Sequence, residues 1–135
     1  MKTNQIIFAA FCMFLLGNSS LLKAQKINCW KGGTPGQATN WNCPKNWSAY
    51  QVPDAFQNVI IPDVSSGSGV YPTISEDGLE VNELALESGA CLTIESSGGL
   101  NVVTTLEQFG GSVVEVKGKL YLPPNGYAGL TPKLP

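Results

Sequence analysis

Chemistry in this chain has to come from carboxylates, because beyond residue 24 it carries ten Asp or Glu, six Lys, and neither His nor Arg. A pair of carboxylates suits glycoside hydrolysis, one as acid and one as nucleophile or base. The candidates are Asp54, Asp63, Glu76, Asp77, Glu80, Glu83, Glu87, Glu95 and Glu115. Lys117 and Lys119 are the cations that could serve such a site by taking a proton or neutralising a uronate. Acids at outward strand positions ordinarily stay solvated or block edge pairing, so the expectation is a protein without catalysis. Calcium would need several oxygen ligands, for which Asp54, Asp63, Glu76 and Asp77 are the candidates. The sequence has no Asp-x-Asp-x-Asp-Gly loop and no Gly-Gly-x-Gly-x-Asp repeat. Zinc needs clustered Cys or His. Neither a metal nor a cofactor is expected.

Trp30, Trp41 and Trp47 raise a second possibility, a carbohydrate-binding platform on which sugar rings stack. The competing reading makes them core, each a large apolar body with one N–H to satisfy. Trp41 and Trp47, six apart around Asn42-Cys43-Pro44-Lys45-Asn46, are the two expected to be partly exposed. Asn46-Trp47-Ser48 also matches the N-glycosylation sequon.

These residues belong to an exported chain. Lys2 precedes the apolar run Ile6 to Leu16, which is about half the roughly 20 residues a bilayer-spanning helix needs. A polar break at Gly17-Asn18-Ser19-Ser20 follows, then Leu21-Leu22-Lys23-Ala24 with a small residue at the cut. Residues 1–24 therefore read as a secretory signal peptide with the mature chain starting near Gln25. No membrane insertion is expected after cleavage. Six Lys against ten Asp or Glu leave the mature chain a formal charge of −4. That balance disfavours nucleic acid, whose phosphates call for clustered Lys and Arg.

The elements that would position these side chains are short strands. Val59-Ile60-Ile61, Glu80 to Glu87, Cys91 to Glu95 and Val114 to Lys117 are apolar or alternating runs, separated by Gly and Ser clusters. No stretch of the mature chain sustains the apolar period of a helix. The mature domain is predicted to be all-β. Leu79, Leu100 and Leu120 recur at spacings of 21 and 20, and Gly89–Glu95 maps onto Gly111–Lys117 at 22. Such periods predict a short right-handed parallel β-helix of about three coils, with Leu92, Ile94, Val114 and Val116 as an internal ladder. An antiparallel β-sandwich is the alternative. The predicted organisation is a Trp- and Cys-rich cap at 25–57, repeats at 58–122, and a Pro-rich tail at 123–135 unable to form a regular element. The cap and tail would cover the two ends of the stack, which otherwise invite end-to-end self-association.

Trp30-x-Gly32, Trp41, Asn46-Trp47, Val52-Pro53, Val59-x-Ile61-Pro62, Pro72-x-Ile74 and Gly89-Ala90-x-Leu92-x-Ile94 occur in that order. The set resembles a module of large exported surface proteins of Bacteroidetes. The resemblance covers about residues 29–120 and implies a secreted or cell-surface β-helical, adhesin-like module without enzymatic activity. Its partner would be a surface polysaccharide or another surface protein. Family members are commonly longer, with many coils and a C-terminal sorting domain. This chain also carries Cys29 and Cys43 flanking the Trp motif. Export permits a disulfide between them, closing a loop of about 15 residues and contributing about 3 kcal/mol. Cys91 is left over and is expected to be a buried free thiol rather than an intermolecular bridge.

Overall fold

The computed structural model describes residues 26–129. The expected signal peptide and residues 130–135 of the tail lie outside the described residues. Within them the chain is all-β apart from a 3₁₀ turn at Pro44–Asn46. The strands are β1 (Lys26–Cys29), β2 (Gln57–Ile61), β3 (Thr73–Ile74), β4 (Leu79–Leu86) and β5 (Cys91–Ile94). They continue as β6 (Gly99–Gln108), β7 (Val113–Val116), β8 (Lys119–Tyr121) and β9 (Tyr127–Gly129).

Two sheets form, one in the order β1-β2-β4-β6-β8 with β9 also beside β6, the other in the order β3-β5-β7. All pairings between these strands are parallel. The antiparallel sandwich is therefore not the architecture. A sequence that recurs at a fixed offset lays each copy beside the previous one in the same direction, which an antiparallel meander would not do. The register follows the repeat: Leu79 pairs with Leu100 and Leu100 with Leu120. Cys91 pairs with Val113 and Ile94 with Val116, as the repeat of Gly89–Glu95 in Gly111–Lys117 predicts.

Inward side chains make one core. Leu92, Ile94 and Val114 are fully buried and Val116 is 4% exposed, so the expected ladder is in place. The longest strand, β6, is invisible to a search for alternation because it does not alternate. It bends through Val103–Thr105, so its buried positions jump from Val102 to Leu106. Opposite it, β4 jumps from Val81 to Leu84. The register slips by one residue between these points, a bulge on β6.

Two expectations about the ends need correction. The segment 25–57 is not solely a cap, since β1 adds a strand to the larger sheet. The Pro-rich tail also forms a regular element: β9 pairs with Leu106–Gln108. Pro123 and Pro124 confine their effect to the turn, where Gly126 N–H donates to the Pro123 carbonyl at 2.9 Å. Asn125 takes a left-handed φ of 62° there. Asn125–Gly129 has no proline, so its backbone donors remain free for the ladder.

Two glycines are required by close approach. A Cβ at Gly98 would collide with the Ile74 carbonyl, and one at Gly118 with the carbonyls of Glu95 and Gly98. These contacts lie where successive repeats stack backbone on backbone. Gly118→Ala is expected to destabilise by about 1–3 kcal/mol, the usual range for overpacking. Val103→Ala, at an exposed position, should stay within about 0.5 kcal/mol. Denaturant midpoints of the two variants would check the contrast.

Candidate functional site

The tryptophans sit at the start of the stack, and they are core. Trp30 and Trp41 are 1% exposed and Trp47 is fully buried. Trp47 stands at the centre, edge-to-face with Trp30 at 5.1 Å and with Trp41 at 4.7 Å between ring centroids. This geometry opposes the positive edge of one ring to the negative face of the next. The Trp47 indole N–H donates to the Trp41 carbonyl at 2.7 Å, and that of Trp30 to the Val70 carbonyl at 2.9 Å. The expectation that Trp41 and Trp47 are partly exposed is overturned. A stacking platform needs a free ring face, which none of the three offers. The reason is tertiary: Val59, Ile61 and Ile74 of the first strands join the same cluster and need apolar cover.

Two buried asparagines hold this cluster in place. Asn46 Nδ2 donates to the carbonyls of Gln37 at 2.6 Å and Asn40 at 3.0 Å, while its Oδ1 accepts from Thr34 N–H at 3.0 Å. Its own carbonyl accepts from the N–H groups of Lys31 and Gly32. Asn28 does similar work one strand away, donating to the Gln51 carbonyl and Gln57 Oε1 and accepting from Ala49 N–H. Asn46 is fully buried, so the sequon it heads presents no accessible acceptor in the folded domain.

Cys29, Cys43 and Cys91 are free thiols. The expected Cys29–Cys43 disulfide is not formed, for a reason of register. Ser48 lies opposite Cys29: its N–H donates to the Cys29 carbonyl and its Oγ accepts from Cys29 N–H, both at 2.9 Å. Trp30 lies opposite Trp47, and Lys31 bonds Asn46. Cys43 instead opens the turn at Pro44–Asn46, its N–H donating to the Asn40 carbonyl and its carbonyl accepting from Asn46 N–H. Burial pushes the Cys29 thiol up, a hydrogen bond with Ser48 opposes this, and Glu87 adds to the rise. Cys91 is half-buried on the outer side of β5 rather than in the core. Burial raises its thiol too, against a hydrogen bond with Thr93 and reinforced by Glu115. Both groups are held as thiols, the form poor in nucleophilicity.

Of the candidate carboxylates, Asp77 and Glu80 come to border one depression. Among the described residues no group of three or more His, Cys, Asp or Glu is placed to hold a metal ion. Asp54 Oδ1 accepts from Phe56 N–H and Asp63 Oδ1 from Ser65 N–H, both at 2.9 Å, each closing an Asx turn. Asp63 Oδ1 also accepts from the Tyr71 hydroxyl at 2.8 Å. Asp77 accepts from Gly78 N–H and pairs with Lys119 Nζ at 2.9 Å. It borders a depression of about 400 Å³ with Glu80, Asn101 and Tyr121. Residue type alone does not single out Tyr121 or Asn101. The signal for them is the repeat, since Asn101 pairs with Tyr121 and with Glu80. Here the Lys119 bond and the Gly78 N–H hold the Asp77 carboxyl below its ordinary range, and Asp77 raises Lys119. The carboxylate is thus kept ionised and the ammonium protonated. Such a pair suits an electrostatic contact better than a general acid, which needs a raised carboxyl.

Asn46→Ala is expected to cost about 3 kcal/mol, since it strands buried backbone partners on both sides. Asn46→Asp should do no better, because it turns a carboxylate oxygen toward two carbonyls; calorimetric melts would check both. Asp63 gives a second expectation. Hydrogen bonds from Ser65 and then Tyr71 hold its carboxyl below the ordinary value. A carboxyl lowered on folding adds stability above its unfolded value and loses it as pH falls through its folded one. Tyr71→Phe should therefore move the Asp63 titration upward, leave that of Asp77 in place, and begin acid unfolding at higher pH. Carbon-detected NMR titration of both carboxyls would read this.

Compared with protein-family models, with curated proteins and with solved structures, the chain finds no match.

Proposed function

We propose that this chain is a secreted or cell-surface structural module, adhesin-like, that acts by surface contact without catalysis. Its two parallel sheets would be the walls of a short right-handed β-helix of about three coils behind a Trp-rich N-terminal cap. The observation that carries this reading is the near-equal offset of both sheets. Leu79 pairs with Leu100 and Leu100 with Leu120 in one, and Cys91 pairs with Val113 in the other. One winding that visits each sheet once per turn accounts for a common offset, and crossovers between parallel strands are right-handed in nearly all cases.

The side chains support contact rather than chemistry. Asp54, Asp63 and Asp77 close turns or pair with Lys119, and the thiols of Cys29 and Cys91 are held protonated. Outward positions of the strands form a polar relief instead. Asn82 Nδ2 donates to Asn58 Oδ1 and Thr104 Oγ1 donates to Asn82 Oδ1, both at 2.7 Å, a ladder across β2, β4 and β6. Such a wall presents repeated polar side chains at strand spacing, suited to a surface polysaccharide or a surface protein. The export signal and the resemblance to Bacteroidetes surface modules support the location.

The test is expression of the full-length gene, followed by fractionation and N-terminal analysis, with binding of the exported protein to immobilised polysaccharides and surface proteins. The expected result is a chain beginning near Gln25 outside the cytoplasm that retains at least one such surface without turning it over. Retention of residues 1–24 in the cytoplasm would overturn the location, and turnover of a glycan would overturn the absence of catalysis.

A further inference from the structure

The starts of β4, β6 and β8 form a small concavity on the outward face of the larger sheet. Register puts Glu80, Asn101 and Tyr121 in one row across these strands. Their side chains alternate with the buried Val81, Leu100 and Val102, so the row faces away from the core. Neighbouring strands stand about 4.8 Å apart, and the row spans roughly 10 Å. Beside it Gly99 leaves the backbone bare. A Cβ at that position would collide with the Asp77 carboxylate, which lies across Gly99 to meet Lys119 Nζ at 2.9 Å. Gly78 N–H holds the same carboxylate at 2.8 Å. The result is the depression of about 400 Å³, bordered by Asp77 and by the row. Unlike the three tryptophans, Tyr121 is 55% exposed. Among the described residues the side chains of Glu80 and Asn101 hold no hydrogen bond or ion pair. The described chain ends at β9, beside Leu106–Gln108 at the opposite end of β6 from Asn101. A further strand beside β8 would lengthen the row rather than cover it, because the row looks outward from the sheet.

We propose that this depression is a saccharide-binding subsite that takes a neutral pyranose unit of a polysaccharide, with Tyr121 as the stacking ring. The ring offers an apolar surface to the C–H face of a sugar. Glu80 can accept from hydroxyls, and Asn101 can both donate and accept. An aromatic surface with a few placed polar groups is the usual make-up of a small-molecule site. The volume also lies within the usual range of roughly 300–1,000 Å³. Charge selects the class of sugar. Asp77 and Lys119 neutralise each other, which leaves Glu80 as the uncompensated charge among the lining residues. The stretch 58–129 carries nine Asp or Glu against two Lys. A uronate, sulfate or phosphate would therefore meet like charge, and a cation would find Asp77 already paired. Size argues against a protein partner. Eight lining residues fall well short of the roughly 20–30 that a stable interface takes from each side. This inference rests on the surface-contact reading above and names the class of surface and the residues that meet it.

The experiment titrates the exported full chain with short neutral oligosaccharides of glucan, mannan, galactan and xylan, and with oligogalacturonate as the anionic probe. Calorimetry reads the affinity and NMR shifts read the place of contact. At least one neutral oligosaccharide is expected to bind and to move the signals of Glu80, Asn101 and Tyr121, while oligogalacturonate does not bind. Tyr121→Ala should weaken that binding by about 10-fold. Tyr121→Phe keeps the ring and should bind nearly as the unmodified chain does. Phe56→Ala removes an exposed ring outside the depression and should change nothing. Far-UV spectra matching the unmodified chain certify that each variant is folded, and the shift map of the unmodified chain decides if Tyr121→Ala is not. Glycan binding that Tyr121→Ala leaves unchanged, shifts confined to other surfaces, or a preference for oligogalacturonate would overturn the subsite and leave the surface role standing. Binding of surface proteins but of none of the oligosaccharides would do the same. A chain that binds neither would overturn both.

Discussion

A stack of parallel strands must end somewhere, and each end leaves backbone donors and acceptors without partners over an open apolar core. Covering the first end is the constraint on which the rest of this structure depends. Trp47 answers it from the middle, touching Trp30 and Trp41 edge-to-face while Val59, Ile61 and Ile74 close the cluster from below. Three indoles bury much apolar area for few residues, which matters in a domain with so little interior. Large rings alone would not define one arrangement. The amide of Asn46 does, because its two donors and one acceptor each meet a backbone group of a different residue.

Once the first layer is set, later layers inherit its geometry. Each strand takes the register of the one before it, and the inward positions repeat in type as well as in place. Tight stacking of backbone on backbone leaves no room for side chains at Gly98 and Gly118. The bulge at Val103–Thr105 absorbs the residue by which one repeat exceeds another. The outward side chains are freer, and there the carboxylates settle into turns and into the Asp77–Lys119 pair. The lowered titration of Asp63 and Asp77 follows from those local donors and not from any shared cavity. A site for proton transfer would require the opposite, a carboxyl kept from water and from cations.

The cysteines show how a reasonable inference from spacing can fail. Cys29 and Cys43 flank the tryptophan motif at a distance that suits a loop-closing bridge. Strand pairing sets Ser48 opposite Cys29 instead, and the bridge is not formed. The tryptophans make a related point. Aromatic residues among Asn, Gly and Pro read first as the core of a cap and second as a sugar platform. Composition is the same in both cases, and only the covering layer of strands distinguishes them.

Counting along the chain was enough to reach the all-β class, the recurring offset of the repeats and the inward ladder of Leu92, Ile94, Val114 and Val116. These properties are local or periodic, and alternation, turn residues and recurrence are all visible in one dimension. The remainder came only with the folded chain. The bulge in β6 is one such feature, since its lost alternation means nothing until the register with β4 is seen. That β1 joins the sheet and β9 forms after two prolines is another, because a strand exists only where a neighbour accepts its hydrogen bonds. Asn46 as a buried anchor, and carboxylates taken up by turns and by Lys119, belong to the same group. Each depends on which residues distant in the chain become neighbours, and that is a property of the fold rather than of any segment.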